Sequence, residues 1–301
     1  MLRSCPPHRR RASIRRPSSA DPQVRVDSVY RHPVDTVYVI ALSLLTASAC
    51  CHATWNLLLK RGGLGGPAFI WLCGLLTLPI SIVLLIRGSL TTVWWAGLVS
   101  MALHTTYAVT LQKAYAVGDF ATVYPVSRGT APLLVSAATL PWSGSGPRVL
   151  AGAGLTLAGV LLMDRPHSRT PVRGIGLGLA VAVCTAAYTV WDGYAVDNLK
   201  VDVLSYLAVA NVAQIVVLST IVRDVRGTVR QWRAAVPIAV LMPASYGLVL
   251  LALSFTSVGT VAVGRTLNVV LGALLGAVVL RERPRVAGLV VVVAGVLLVS
   301  L

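Results

Sequence analysis

Charge is scarce in this chain. Asp, Glu, Lys and Arg together make up only 12% of 301 residues. A soluble domain carries about a quarter, so a water-facing globular surface is excluded. Acids are the scarcest, 10 against 26 Lys and Arg. No clustered carboxylates and no His-acid metal motif occur, which argues against hydrolytic or metal-assisted chemistry. No Gly-rich loop ending in Gly-Lys-Ser/Thr is present, so there is no P-loop for ATP. Cysteines number 5, an odd count, and all but Cys5 lie in apolar stretches, which is not a disulfide framework. Cys50-Cys51-His52 is no metal centre either. Consecutive helix positions point about 100° apart and do not converge on one ion. No cofactor, metal site or catalytic residue is therefore expected.

What the chain has in abundance is apolar sequence. Hydrophobic residues make up 56% and mean hydropathy is +0.77. The expected fold is an all-α integral membrane protein, because backbone polar groups left unpaired cannot face lipid. About 20 helical residues cross a bilayer core of roughly 30 Å. Ten such spans are predicted: 36–59, 66–86, 91–112, 120–140, 149–163, 174–196, 201–222, 235–253, 258–280 and 286–301. Gly62-Gly63, Gly65-Gly66-Pro67, Gly144-Ser145-Gly146-Pro147 and Arg281-Glu282-Arg283-Pro284 punctuate the loops.

The spans repeat. Trp55-Asn56 recurs as Trp191-Asp192, Arg128 as Arg265, and Pro147-Arg148-Val149 as Pro284-Arg285-Val286. Ala158-Gly159-Val160-Leu161-Leu162 recurs as Ala294-Gly295-Val296-Leu297-Leu298. The chain is thus expected to hold two five-helix repeats, 36–165 and 173–301. Five is odd, so the second repeat enters the membrane inverted, about an axis in the membrane plane. Secondary transporters are built this way, with the binding site where the repeats meet.

Residues 1–35 form a basic tail rich in Arg, Pro and Ser. It lacks apolar periodicity and is expected to be disordered. No base-reading motif accompanies its charge, so no nucleic-acid partner is expected. It does not read as a secretory signal, because no cleavage site follows the first apolar run. Loops after odd-numbered spans carry most of the loop Lys and Arg, such as Lys60, Arg61, Arg165, Arg169 and Arg173. The positive-inside rule puts those loops in the cytoplasm; the tail's arginines pull the opposite way.

Polar residues within apolar spans are costly and usually face a bundle interior or a water-filled cavity. His52, Trp55 and Asn56 share one face of the first span, and Tyr188, Trp191 and Asp192 repeat it in the sixth. His104 pairs with Tyr107, Tyr124 with Arg128, Asn211 with Gln214, and Arg265 with Asn268 in the same way. Tyr246 in the eighth span completes the candidate set. Arg128 and Arg265 say most, since Arg stays protonated and each lies well inside its span. One reading is a fixed cation for a carboxylate-bearing substrate; the other is snorkelling or pairing with helix carbonyls. Pro125 and Pro132 are expected to loosen the helix around Arg128. Asp192 is the one acid well inside a predicted span, available to pair with an Arg or carry a coupling proton. Trp94, Trp95 and Trp142 are assigned to the membrane interface.

These residues carry a resemblance to the drug/metabolite transporter superfamily, specifically EamA-type ten-helix transporters. The matching stretches are His52-Ala53-Thr54-Trp55-Asn56-Leu57-Leu58-Leu59-Lys60, Ala114-Tyr115, and Tyr124-Pro125-Val126-Ser127-Arg128-Gly129-Thr130-Ala131-Pro132. Gly264-Arg265 and Leu280-Arg281-Glu282-Arg283-Pro284, then the helix from Gly288 to Gly295, match in the second half. The resemblance covers about 36–301 and implies a ten-helix basket in the plasma membrane, working by alternating access. It implies that spans one to four and six to nine surround the cavity while five and ten are peripheral. One departure stands out: the acid expected after the fourth span is replaced by Ser143 to Gly146, whereas Glu282 is present after the ninth.

The sequence thus points to a non-enzymatic secondary transporter of small polar metabolites, amino acids or related compounds, with export as one direction. The expected setting is multi-pass in the plasma membrane of a bacterium, with a small-molecule substrate and the lipid bilayer as partners. Oligomeric state is left open, a monomer being compatible. The alternatives are a membrane-embedded enzyme acting on a lipid-linked substrate and a non-transporting scaffold or sensor. Neither explains charges placed deep in both repeats.

Overall fold

A computed structural model describes residues 22–88, 92–117, 120–141, 146–163, 172–281 and 285–300. The described residues form helices and turns, with no strand among them. In chain order the helices are α1 (Pro22–Gly62), α2 (Gly66–Arg87), α3 (Val93–Val117), α4 (Phe120–Thr139), α5 (Pro147–Met163) and α6 (Val172–Asp197). Then come α7 (Val203–Ser219), α8 (Val225–Val229), α9 (Trp232–Leu253), α10 (Val258–Gly264), α11 (Leu267–Leu280) and α12 (Val286–Ser300). Residues 1–21 of the tail, Trp142 and Glu282 lie outside the described residues. Helix α1 begins at Pro22, so part of the tail expected to lack regular structure is helical.

Among the described residues five stretches are long and apolar enough to cross a membrane: Thr36–Leu59, Gly66–Arg87, Arg173–Asp197, Trp232–Leu253 and Val258–Val279. Pro147–Met163, Val203–Ser219 and Val286–Val299 are shorter apolar helices. Large apolar side chains point outward; Val278 is 80% exposed and Ile86 79%. In water such a surface would be unfavourable, and in lipid it is the expected one.

Helix boundaries follow local chemistry. Gly63, Gly65 and Gly66 take positive φ in the turn between α1 and α2, which a Cβ disfavours. Asp202 caps α7 by accepting from the Ser205 amide, and Asp224 caps α8 by accepting from the Gly227 amide.

One departure from the predicted spans bears on the site. Helix α4 runs from Phe120 to Thr139 across Pro125 and Pro132, neither of which has an N–H to give the helix ladder. The ninth predicted span, by contrast, is two helices, broken at Arg265 and Thr266 between α10 and α11. There the backbone switches to i→i−3 bonds, Thr266 N–H to Val263 O and Asn268 N–H to Arg265 O. The Thr266 hydroxyl also donates to Val263 O at 2.6 Å. A hydroxyl that satisfies a carbonyl of the preceding turn competes with the regular ladder and bends the helix.

Helix α5 packs against α12, α2 against α7, and α6 against both α3 and α4. The α5–α12 contact runs antiparallel. A Cβ built on Gly152 or on Gly295 would meet the other's carbonyl oxygen at 2.7 Å, and Gly288 would meet that of Gly159 at 2.7 Å. Small residues permit such backbone approach in membrane helix pairs. The main core gathers Tyr206, Leu250, Leu253 and Val261 around α6, α7 and α9. It leaves an opening on the side where α1, α3, α4, α6, α9 and the α10–α11 break converge.

Candidate functional site

That opening is a cavity of about 350 Å³, within the size range of small-molecule sites. His52 and Trp55 of α1, His104 and Tyr107 of α3, Arg128 of α4 and Tyr188 of α6 line it. So do Asn211 of α7, Tyr246 of α9, Arg265 at the helix break and Asn268 of α11. With Gln214 of α7, eleven of the residues singled out from sequence therefore meet in one place.

The aromatic wall comes first. His104 stacks on Tyr188 with centroids 4.1 Å apart and meets Tyr246 edge-on at 5.2 Å. Tyr107 stands edge-on to Tyr188 at 5.5 Å. The His104 Nδ1 lies 2.9 Å from the Ser100 carbonyl oxygen. A carbonyl only accepts, so the imidazole carries its proton on Nδ1. His52 and Trp55 form a second edge-on pair at 4.9 Å.

Both guanidinium groups reach this wall. Arg128 Nη2 donates to the Tyr107 hydroxyl at 3.1 Å. Arg265 lies over the rings of Tyr188 and Tyr246, at 5.6 and 6.0 Å from the centroids. It makes long contacts, 3.4 Å each, to the hydroxyls of Thr189 and Tyr188. Among the described residues no carboxylate lies within ion-pair distance of either Arg. Burying a charge with hydroxyl and ring partners alone leaves most of its desolvation cost in place.

Four predicted residues lie outside the lining. Asn56 is exposed and donates to the carbonyl of His52, one turn back on its own helix, at 2.7 Å. Trp191 donates its indole N–H to Ala96 O at 3.1 Å and packs edge-on against Trp95 at 5.8 Å. Trp95 also packs against the main core, whereas Trp94 is exposed. Tyr124 sits one turn from Arg128 but is not among the lining residues.

Asp192 is the fourth, and its surroundings explain why. It is 2% exposed. The Ser100 and Tyr206 hydroxyls each donate to its Oδ1 at 2.7 Å, and the Tyr246 hydroxyl donates to Oδ2. It pairs with hydroxyls of α3, α7 and α9, not with an Arg. Tyr206 and Tyr246 themselves line the cavity, so the carboxylate sits behind the wall they form.

Sequence reasoning missed Tyr206, Thr77 and Met242, which also line the cavity. Tyr206 lies five residues before Asn211, about 140° round the helix, so spacing within α7 did not group the two. The Trp55 indole N–H is buried without a hydrogen-bond partner among the described residues.

Comparison with known proteins fits this picture. Residues 172–301 match the EamA-like transporter family, part of the drug/metabolite transporter superfamily. No curated protein matches the chain. Among solved structures, a crystal structure 20% identical superposes with a TM-score of 0.67, over 86% of this chain and 94% of that one. At that identity the likeness concerns fold.

Proposed function

From the membership of residues 172–301 in the EamA-like transporter family, we propose that this multi-pass membrane protein is a secondary transporter of small carboxylate-bearing metabolites in the plasma membrane. One observation carries the reading. Arg128 and Arg265, which occupy equivalent places in the two sequence repeats, both line one cavity and lack an acid partner among the described residues. Charge within a membrane segment costs at least roughly 2.5 kcal/mol on insertion scales. Two such charges are well explained if a substrate anion offsets them.

The architecture we propose is ten spans in two inverted five-helix repeats working by alternating access. The glycines support it. The repeat relates Gly152 to Gly288 and Gly159 to Gly295. In space the contacts cross over, Gly152 against Gly295 and Gly159 against Gly288, as a two-fold axis between α5 and α12 requires. The broken helix at Arg265 supports transport as well, since interrupted helices at mid-membrane mark the sites of many secondary transporters.

The test is reconstitution. Purified protein in liposomes should take up a radiolabelled small carboxylate faster than protein-free liposomes, and Arg128→Gln should lose that uptake while eluting as folded protein. Equal uptake with and without protein, across a panel of carboxylates, would sink the proposal.

A further inference from the structure

Among the described residues the cavity lining has a charge of one sign only, and this bears on which carboxylates it accepts. A zwitterionic amino acid presents two charges and needs two kinds of partner. The carboxylate side is well provided: Arg128 and Arg265 flank the aromatic wall.

The ammonium side is not. The acids whose side chains are described are Asp192, Asp197, Asp202 and Asp224. Asp202 and Asp224 cap α7 and α8. Asp197 is exposed at the end of α6. Asp192 is adjacent to the cavity, yet both its oxygens accept hydroxyl donors, and Tyr206 and Tyr246 separate it from the lumen. An ammonium could otherwise rest on an aromatic face. The faces of Tyr188 and Tyr246 already hold the Arg265 guanidinium, and Tyr188 also stacks on His104. A second cation there would meet like charge with no counter-ion, and like-charge juxtaposition in a desolvated site costs several kcal/mol.

The rest of the lumen is mostly apolar or aromatic. Leu45, Ala49, Met101 and Val249 line it together with the His104, Tyr107, Tyr188 and Tyr246 rings, and Thr77, Asn211, Gln214 and Asn268 add polar groups without charge. Such a surface suits a substrate with an aromatic or bulky apolar body.

We infer that the site selects organic anions that carry a carboxylate or sulfonate on an apolar or aromatic body and no ammonium group. This rests on the reading of the cavity as the transport site and narrows its substrate class.

Three ligands with one phenyl body separate the terms: phenylpropionate has the anion alone, L-phenylalanine both charges, and phenethylammonium the cation alone. Titration calorimetry on the full-length protein in detergent should show phenylpropionate binding, L-phenylalanine weaker by about tenfold or more, and phenethylammonium not at all, since an unpaired buried cation costs at least a tenfold step of 1.4 kcal/mol. Arg265→Gln should reduce that discrimination, and the wild-type series stands by itself if the variant does not fold. Equal or tighter binding of L-phenylalanine, binding of phenethylammonium, or binding of none of the three would overturn the inference. Uptake of phenylethanesulfonate, a permanent anion that does not leak through lipid, keeps the two proposals apart. Selective binding without uptake would refute transport but support the anion class; uptake of L-phenylalanine in preference to the sulfonate would support transport and refute the class.

Discussion

Gly152 and Gly295 hold α5 and α12 at backbone contact: a Cβ on either would lie 2.7 Å from the carbonyl oxygen of the other. The interface therefore does not absorb a methyl group by moving a flexible side chain. The backbones themselves must separate.

Gly295→Ala should accordingly destabilise the protein, by about 1–3 kcal/mol as for overpacked cores. The added Cβ would also press on Thr156 at 2.9 Å. Gly154→Ala on the same α5 meets nothing within 4 Å and should stay at wild-type stability. Thermal unfolding in detergent compares the two, and equal melting temperatures would refute this account of the contact.

Asp192 gives a second stability prediction. Its carboxylate ties Ser100 of α3, Tyr206 of α7 and Tyr246 of α9 to α6. In Asp192→Asn one oxygen becomes an NH₂ donor facing a hydroxyl that was donating. The cost should be about 1–3 kcal/mol, that of leaving a buried polar group badly paired. Tyr206→Phe removes one donor and leaves Asp192 with two, so it should cost less. Melting temperatures in the order wild type, Tyr206→Phe, Asp192→Asn would match the geometry; the reverse order of the two variants would contradict it.

The difference between these two features is also a difference in legibility. Arg128, Arg265, His104 and Tyr107 were readable because a polar side chain in an apolar run has few places to go, and all four reach the cavity. Asp192 was equally conspicuous, but its three partners come from three other helices, and no spacing in one sequence encodes which hydroxyls will meet. The break at Arg265-Thr266 had no sign in the sequence either, because no proline stands there. The Thr266 hydroxyl bond to Val263 O is a tertiary-structure choice that serine and threonine elsewhere in the chain do not force.

Arg128 tests the transport site directly. Its Nη2 donates to the Tyr107 hydroxyl, and among the described residues its other guanidinium donors are left for a ligand. Arg128→Lys keeps the charge but loses the planar fork that grips a carboxylate through two bonds. Uptake of a carboxylate in liposomes should fall several-fold in Arg128→Lys and be abolished in Arg128→Gln, with both proteins eluting as folded monodisperse species. Full uptake in Arg128→Gln would assign the residue to structure.

Trp55 separates binding from folding more cleanly than either Arg. Its indole N–H is buried with no acceptor among the described residues, and a buried unmade hydrogen bond costs about 1–3 kcal/mol. Replacing the indole by a ring without that donor removes the cost from the ligand-free protein. Trp55→Phe should therefore melt no lower than wild type, apart from what the smaller ring loses in packing against α2 and α9. If the N–H is reserved for a substrate anion, the same variant should bind phenylpropionate several-fold more weakly in calorimetry. Stability unchanged with affinity reduced would place Trp55 in the binding site. Unchanged affinity would mean that the orphan donor does not serve the ligand, and the anion would then rest on the two arginines alone.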